Sequence, residues 1–296
     1  MTFYYDSITN SFCGDSQYSD SLLQVMWHIT NACNLNCKFC FSRFLRNTDV
    51  AEQTNQQVTE IINLLKQLGV KKVDLSGGEP LISRQLPLIA KCCIDNEITP
   101  TITTSGFGCD SNITWIANNY KLFARVILSL DGPGSIHNCL RGSNKAFDKF
   151  LEFYHLLTAV NCDRIRINTV VSKPVLSNAE ELCKLINSLS PIEWCCIQPH
   201  PVNKNNDFDS LSVTKEEFES FIKQCQLALN NSKISMLSRN NVDYSSYWVL
   251  YPNQQLRHLS ANDEYDEDFI FSSENIKMIK DAVKKHPQLY VRPTTG

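Results

Sequence analysis

No stretch of this 296-residue chain reaches the ~18 consecutive apolar residues that a membrane-crossing helix needs. The opening residues 1–17 lack the basic-then-apolar order of a signal peptide. They also lack the basic amphipathic face that docks a helix on a membrane. Neither sign of charge dominates: 28 Lys and Arg stand against 31 Asp and Glu, for a net charge of −3. That balance argues against non-specific binding to nucleic acid. Internal repeats and low-complexity tracts are absent as well. The expectation is a cytoplasmic monomer with neither a membrane nor a nucleic-acid partner. Hydrophobic residues make up 43% of the chain, enough to bury a substantial core.

Cysteine is plentiful, with thirteen in all. Without a secretion signal these are expected to stay reduced. An odd, scattered set makes a poor disulfide framework. Most read as small apolar core residues. The adjacent pairs Cys92-Cys93 and Cys195-Cys196 point their side chains apart, so neither pair chelates well. Cys33, Cys37 and Cys40 are different. They sit in the run Cys33-Asn34-Leu35-Asn36-Cys37-Lys38-Phe39-Cys40, just after an apolar strand-like stretch. A structural zinc site would call for a second C-x2-C pair, and none follows at usable spacing. Three thiolates this close can hold three irons of a [4Fe–4S] cube, which ordinarily takes four cysteines. The fourth iron would then be open to a ligand that is not the protein.

Hydrophobic periodicity alternates between strand-like and helix-like segments. Strands are expected at 23–30, 72–75, 98–104, 125–130, 164–171 and 192–198, and helices at 55–68, 86–96, 112–119, 146–160 and 178–189. Gly69 supplies a helix C-terminal stop. Six strands alternating with helices predict an α/β fold with a parallel sheet and crossover helices. The periodicity alone leaves open sheet and barrel equally possible. After Pro199 the alternation breaks. Residues 199–209 read as loop, Thr214 as a helix N-cap, and 272–285 as a last helix. The expected division is an N-terminal segment over 1–22, a main unit over 23–199 and a C-terminal extension over 200–296.

One full strand–helix unit after the cysteines comes Ser76-Gly77-Gly78-Glu79-Pro80. Paired glycines let a ligand or a second backbone approach closely, and the proline fixes the turn. By itself the segment serves equally well as a tight strand-to-helix turn. C-x3-C-x2-C with an aromatic before the last cysteine, followed by GGEP, resembles the radical S-adenosylmethionine (SAM) superfamily. That resemblance implies a partial (β/α)6 barrel, chemistry at the strand C-terminal ends, and a [4Fe–4S] cluster held by Cys33, Cys37 and Cys40. It also implies SAM on the open iron, cleaved by one electron to give a radical that abstracts hydrogen. Gly77, Gly78, Glu79 and Pro80 would meet its methionine amine. Thr104-Ser105-Gly106, Ser129 and Asn168 fall where the superfamily places further SAM contacts.

Beyond these motifs, residues 24–260 resemble the viperin family of radical SAM nucleotide dehydratases. The matching stretches include Ile167-Asn168-Thr169-Val170-Val171, Leu189-Ser190-Pro191-Ile192-Glu193-Trp194, Ile197-Gln198, Glu216-Glu217-Phe218-Glu219 and Ser246-Tyr247. The resemblance implies a nucleoside triphosphate substrate (CTP, UTP or GTP) converted to its 3′-deoxy-3′,4′-didehydro analogue in antiviral defence. The 4′ hydrogen would be abstracted and the 3′ hydroxyl lost as water, with electrons from a flavodoxin or ferredoxin. Lys72, Arg141, Arg166 and Tyr247 would contact the substrate, and Tyr247 would be the candidate proton donor. On a strand, Arg164, Arg166 and Asn168 share one face and Ile165 and Ile167 the other. The polar face then suits an open lumen and an anionic ligand, although a salt-bridged strand face would look the same.

Departures from the family pattern are visible. Glu193-Trp194-Cys195 stands where viperins carry a basic cluster, which leaves the base preference open. The N-terminal membrane helix of animal viperins is absent, and residues 291–296 lack their aromatic end. A soluble, prokaryotic-type member is the expectation. Ser129-Leu130-Asp131-Gly132-Pro133 and Leu140-Arg141-Gly142 also resemble peptide-modifying radical SAM enzymes. Those bind auxiliary clusters through C-terminal cysteines, whereas the last cysteine here is Cys225. Another small-molecule radical enzyme is a second alternative, and a non-enzymatic iron or zinc protein a third. His28, His137 and His200 read as structural.

Overall fold

The computed structural model describes residues 22–40, 42, 43, 45, 48, 51–199, 208–240, 247–259 and 265–286, with short strands at 4–6, 11–13, 18–19 and 288–289. His200, Ser246, the loop residues 201–207 and the tail 291–296 lie outside the described residues.

Six strands and their crossover helices form the main body. The strands are β1 (Gln24–His28), β2 (Lys72–Ser76), β3 (Thr99–Thr104), β4 (Val126–Ser129), β5 (Ile165–Val170) and β6 (Glu193–Ile197). Each pairs in parallel with the next. Helices α1 (Asn55–Gln67), α2 (Leu86–Asp95), α3 (Asp110–Asn119), α4 (Gly134–Arg141), α5 (Ala146–Ala159), α6 (Lys173–Leu176) and α7 (Ala179–Leu189) fall between them. Sequence periodicity places these strands and the longer helices within about two residues of their bounds. It misses α4, because Asp131-Gly132-Pro133-Gly134 reads as a turn. Pro133 in fact stands in extended conformation as the N-cap of that helix.

Local rules explain the individual elements. Thr54 and Gln57 form a reciprocal capping box at the start of α1. Val58, Ile61, Ile62, Leu64 and Leu65 then bury one face of the helix. A fully buried aliphatic side chain of this kind contributes about 1.5–3 kcal/mol relative to an exposed one. In the strands the period of two separates the faces. Val73, Leu75, Ile102, Ile165, Ile167 and Trp194 pack in the core. Lys72, Asp74, Ser76, Thr103, Arg166, Asn168 and Glu193 alternate with them and face the interior.

The segment beyond residue 200 adds strands to the same sheet. Strands β7 (Ser235–Arg239), β8 (Tyr247–Leu250), β9 (Gln255–Leu259) and β10 (Tyr265–Ile270) complete the order β7-β6-β5-β4-β3-β2-β1-β8-β9-β10. The short helix α8 (Phe208–Leu211) begins inside the stretch expected as loop. Helix α9 (Lys215–Ala228) starts at the Thr214 cap as expected, and α10 (Ile276–Lys285) starts four residues later than expected. The ten-stranded sheet is strongly curled. Arg239 on β7 and Tyr247 on β8 stand seven strand steps apart, yet Arg239 Nη1 donates to the Tyr247 hydroxyl at 3.3 Å. The result is a partial (β/α)6 barrel with its interior open to one side.

Candidate active site

One cavity of about 330 Å³ lies inside the curl, at the carboxyl ends of the strands. The loop leaving β1 forms its upper wall and carries the three cysteines. Cys37 is buried, Cys33 and Cys40 are half-buried, and all three line the cavity. Backbone contacts hold this loop on two sides. Gly78 N donates to Thr30 O at 2.7 Å, and Glu79 N donates to Ala32 O at 2.8 Å. A Cβ on Gly78 would stand 2.1 Å from Ala32 O, so only glycine permits the approach. On the other side, Asn36 N and Lys38 N donate to Arg141 O and Leu140 O at 3.0 and 3.1 Å. The C-terminal carbonyls of α4 are thereby satisfied by the cysteine loop.

Glu79 is fixed by four donors. The Thr104 hydroxyl and Leu81 N reach Oε1 at 2.5 and 3.0 Å, and Ser105 N and Oγ reach Oε2 at 2.9 and 2.6 Å. Burial pushes its carboxyl above the usual range, while these hydrogen bonds pull the other way. Glu79 therefore ties the GGEP turn to the end of β3 and sets the position of Ser105.

Arg141 leaves the end of α4 and turns into the same cavity. Its Nε donates to Asp131 Oδ2 at 2.6 Å, and its Nη1 donates to Cys37 Sγ at 3.6 Å. Burial pulls the guanidinium pKa down, but Asp131 and the Cys37 thiol outweigh it and hold the group firmly charged. His137 accepts from Asp131 N at 3.0 Å, and burial lowers its pKa to about 3. It is a neutral structural histidine. His28 is likewise neutral, lowered by burial to about 4, but it lines the cavity and stands 3.2 Å from Ser42 Oγ.

Most of the sequence-derived site residues come together here. Gly77, Gly78, Glu79, Ser105, Ser129, Asn168, Arg141 and Tyr247 line the cavity with the three cysteines. Pro80 is buried behind the turn, where it starts a 3-10 helix. Lys72 and Arg166 are not among the lining residues; they are buried in the barrel interior beneath the cavity. Arg166 Nε donates to Asn168 Oδ1 at 2.9 Å, and its Nη1 is 3.9 Å from Glu193. Glu193 in turn pairs with Arg125 at 2.7 Å. Burial lowers Lys72 to about 7, with Asp74 pulling the other way.

Sequence reasoning missed Arg239, Asp74 and Gln198, which also line the cavity. Their signal is weak. Asp74 is a single polar residue in the middle of β2, Gln198 follows the end of β6, and Arg239 lies in a segment whose periodicity does not reveal a strand.

The donor set fits an iron–sulfur cluster. Three thiols face one cavity, and no fourth cysteine lines it among the described residues. Burial pushes the Cys33 thiol up to about 12, and the nearby Glu79, Cys37 and Cys40 add to the shift. Holding the three as thiolates together would need a cation among them, which the irons of a cluster would supply.

Fold and site together define a partial β/α barrel with three free cysteines grouped in one cavity at its strand ends. The family model described as the Radical SAM superfamily matches residues 27–186. The chain belongs to that superfamily, whose cofactors are SAM and a [4Fe–4S] cluster. A protein of Flammeovirga pacifica named S-adenosylmethionine-dependent nucleotide dehydratase is 26% identical over 76% of this chain and 78% of its own length. A second of that name, from Lacinutrix mariniflava, is 27% identical over 67% of this chain but only 43% of its own length. An AdoMet-dependent heme synthase of Methanosarcina barkeri is 26% identical over 65% of this chain and 55% of its own. Among solved structures, Streptococcus suis SuiB bound to precursor peptide SuiA matches with a TM-score of 0.71 at 16% identity, over 88% of this chain and 65% of that one. This chain thus spans less than two thirds of several proteins it resembles. The SuiB match speaks for the fold alone.

Proposed function

We propose that this chain is a SAM-dependent nucleotide dehydratase, removing water from the ribose of a nucleoside triphosphate (CTP, UTP or GTP) to give the 3′-deoxy-3′,4′-didehydro analogue. The cavity carries the reading: cysteine loop and GGEP turn at one end, Arg239 and Tyr247 at another, and cations beneath. Cys33, Cys37 and Cys40 would hold the cluster. The backbone at Gly77 and Gly78, with Ser105, Ser129 and Asn168, would hold SAM. When bound, cluster and SAM supply one-electron hydrogen-atom abstraction, the chemistry an unactivated ribose carbon requires.

The remaining work belongs to the protein. Arg239 offers a fixed charge to a phosphate. Arg166 Nη2 is buried without a hydrogen-bond partner among the described residues, so an anion reaching the interior would satisfy it. Loss of the 3′ hydroxyl as water consumes a proton and one further electron. The Tyr247 hydroxyl, oriented by Arg239, is the candidate proton source, and water is the alternative. A flavodoxin or ferredoxin would deliver the electrons.

This reading includes a barrel over residues 23–199 with a C-terminal extension over 200–296 that closes it, a monomeric state, a cytoplasmic location and an antiviral role. Among the described residues no helix is long and apolar enough to cross a membrane. The competing reading is a radical SAM enzyme acting on a peptide or another small molecule, in keeping with the name of the Methanosarcina relative.

The deciding experiment is anaerobic incubation of reconstituted protein with SAM, dithionite and each nucleotide in turn. Release of 5′-deoxyadenosine only with a triphosphate, together with the didehydro product, supports the proposal. Release that ignores every nucleotide overturns it and leaves the radical chemistry standing.

A further inference from the structure

Arg141 is held with little freedom. Its Nε and Nη2 both engage Asp131 Oδ2, at 2.6 and 2.5 Å. Asp131 is completely buried and is itself fixed through Oδ1, which accepts from Val170 N at 2.8 Å. The Arg141 carbonyl is tied to the cysteine loop through Asn36 N at 3.0 Å. The guanidinium lies 5.3 Å from the centre of the Phe39 ring. The remaining nitrogen, Nη1, points to one sulfur of the triad, Cys37 Sγ, at 3.6 Å. A planar fork clamped on one side by a carboxylate thus presents a fixed donor to a single thiolate.

Hydrogen bonds to the sulfurs and local net charge are the protein's means of setting an iron–sulfur potential. Reduction of a [4Fe–4S] cluster adds one electron, drawn from the external donor, and makes or breaks no bond in the protein. The added negative charge is stabilised by a cation beside a ligating sulfur, and more strongly in a buried setting than in water. We propose that Arg141 is a positioning residue for the cluster: its Nη1 donates to the Cys37 thiolate and raises the reduction potential, while Asp131 fixes the guanidinium and moderates its charge. The inference rests on the cluster assignment alone and is independent of the substrate.

The test is the midpoint potential of the reconstituted cluster, followed by EPR during a redox titration, with iron content measured on each sample. Arg141→Gln removes the cation. At a given potential its ratio of reduced to oxidised cluster falls about tenfold, a shift of about 59 mV to more negative values. Asp131→Asn keeps the acceptor for Val170 N but removes the opposing charge, so its shift runs the other way. Arg141→Lys keeps the charge without the fork and stays nearer the wild type than the glutamine variant. Opposite shifts in R141Q and D131N support the inference, because a merely structural role would move both alike. Shifts of the same sign, or no shift at full iron content, overturn it. Loss of iron in every variant marks a structural role and overturns it too. If the unaltered protein binds no cluster, the failure lies instead with the assignment of the cysteines.

Discussion

The two ends of the barrel interior are built by different means. At the upper end, backbone does the positioning. The cysteine loop hangs between the GGEP turn and the last turn of α4 on four main-chain hydrogen bonds. In the interior below, side-chain charges do it: Glu193, Arg166, Lys72 and Asp74 from three strands, with Arg125 just before β4, answer one another. Backbone positioning tolerates almost no substitution, because a Cβ has nowhere to go. Charge positioning can be retuned one residue at a time.

The largest effect should come from the upper end. Gly78→Ala places a methyl 2.1 Å from Ala32 O, so either the GGEP turn or the cysteine loop must shift. The expected outcome is loss of most of the reconstituted iron, together with about 3 kcal/mol of stability, read from iron analysis and denaturant unfolding. Full iron content in that variant would mean that the glycine contact does not position the cysteines.

Glu193→Gln should cost less, about 2 kcal/mol. A wholly buried pair loses about 3–5 kcal/mol when one partner is removed, but the Glu193 side chain keeps 13% exposure. Iron content should stay unchanged. If iron falls in step with stability, the two ends are not separable.

The smallest effect lies in pH dependence. Lys72 titrates near 7 in the folded protein against 10.5 ordinarily, owing chiefly to burial. Between those values the unfolded chain binds the extra proton, so this residue makes stability rise as pH increases from about 7 toward 10.5. Lys72→Met should flatten that rise, measured as unfolding free energy at several pH values. On the acid side the sign is the same. His28 and His137 stay neutral down to about 4 and 3, so stability falls as pH drops below their ordinary 6.5. Replacing His137 by Phe should weaken that fall.

The contrast also explains what the sequence can disclose. Cys33, Cys37, Cys40 and the GGEP run are contiguous, and their spacing is the constraint itself, so they are legible in the linear order of residues. The strands of the main body are legible because the period of two persists through stretches such as 164–171. Arg239 is not, since its strand is a short edge element with an exposed start. The pairing of Arg141 with Asp131 and Cys37 is not legible either. It depends on α4, whose entry Asp131-Gly132-Pro133-Gly134 mimics a turn. Family resemblance places Arg141 at the substrate; the structure shows its guanidinium engaged by Asp131 and the Cys37 sulfur.

The most direct test of the account is EPR of the anaerobically reconstituted, reduced protein with and without added SAM. The account predicts a [4Fe–4S] signal that changes when SAM is added, because one iron has no protein ligand. It also predicts that the signal disappears in Cys37→Ala. A signal indifferent to SAM, or protein that holds no cluster at all, would contradict it.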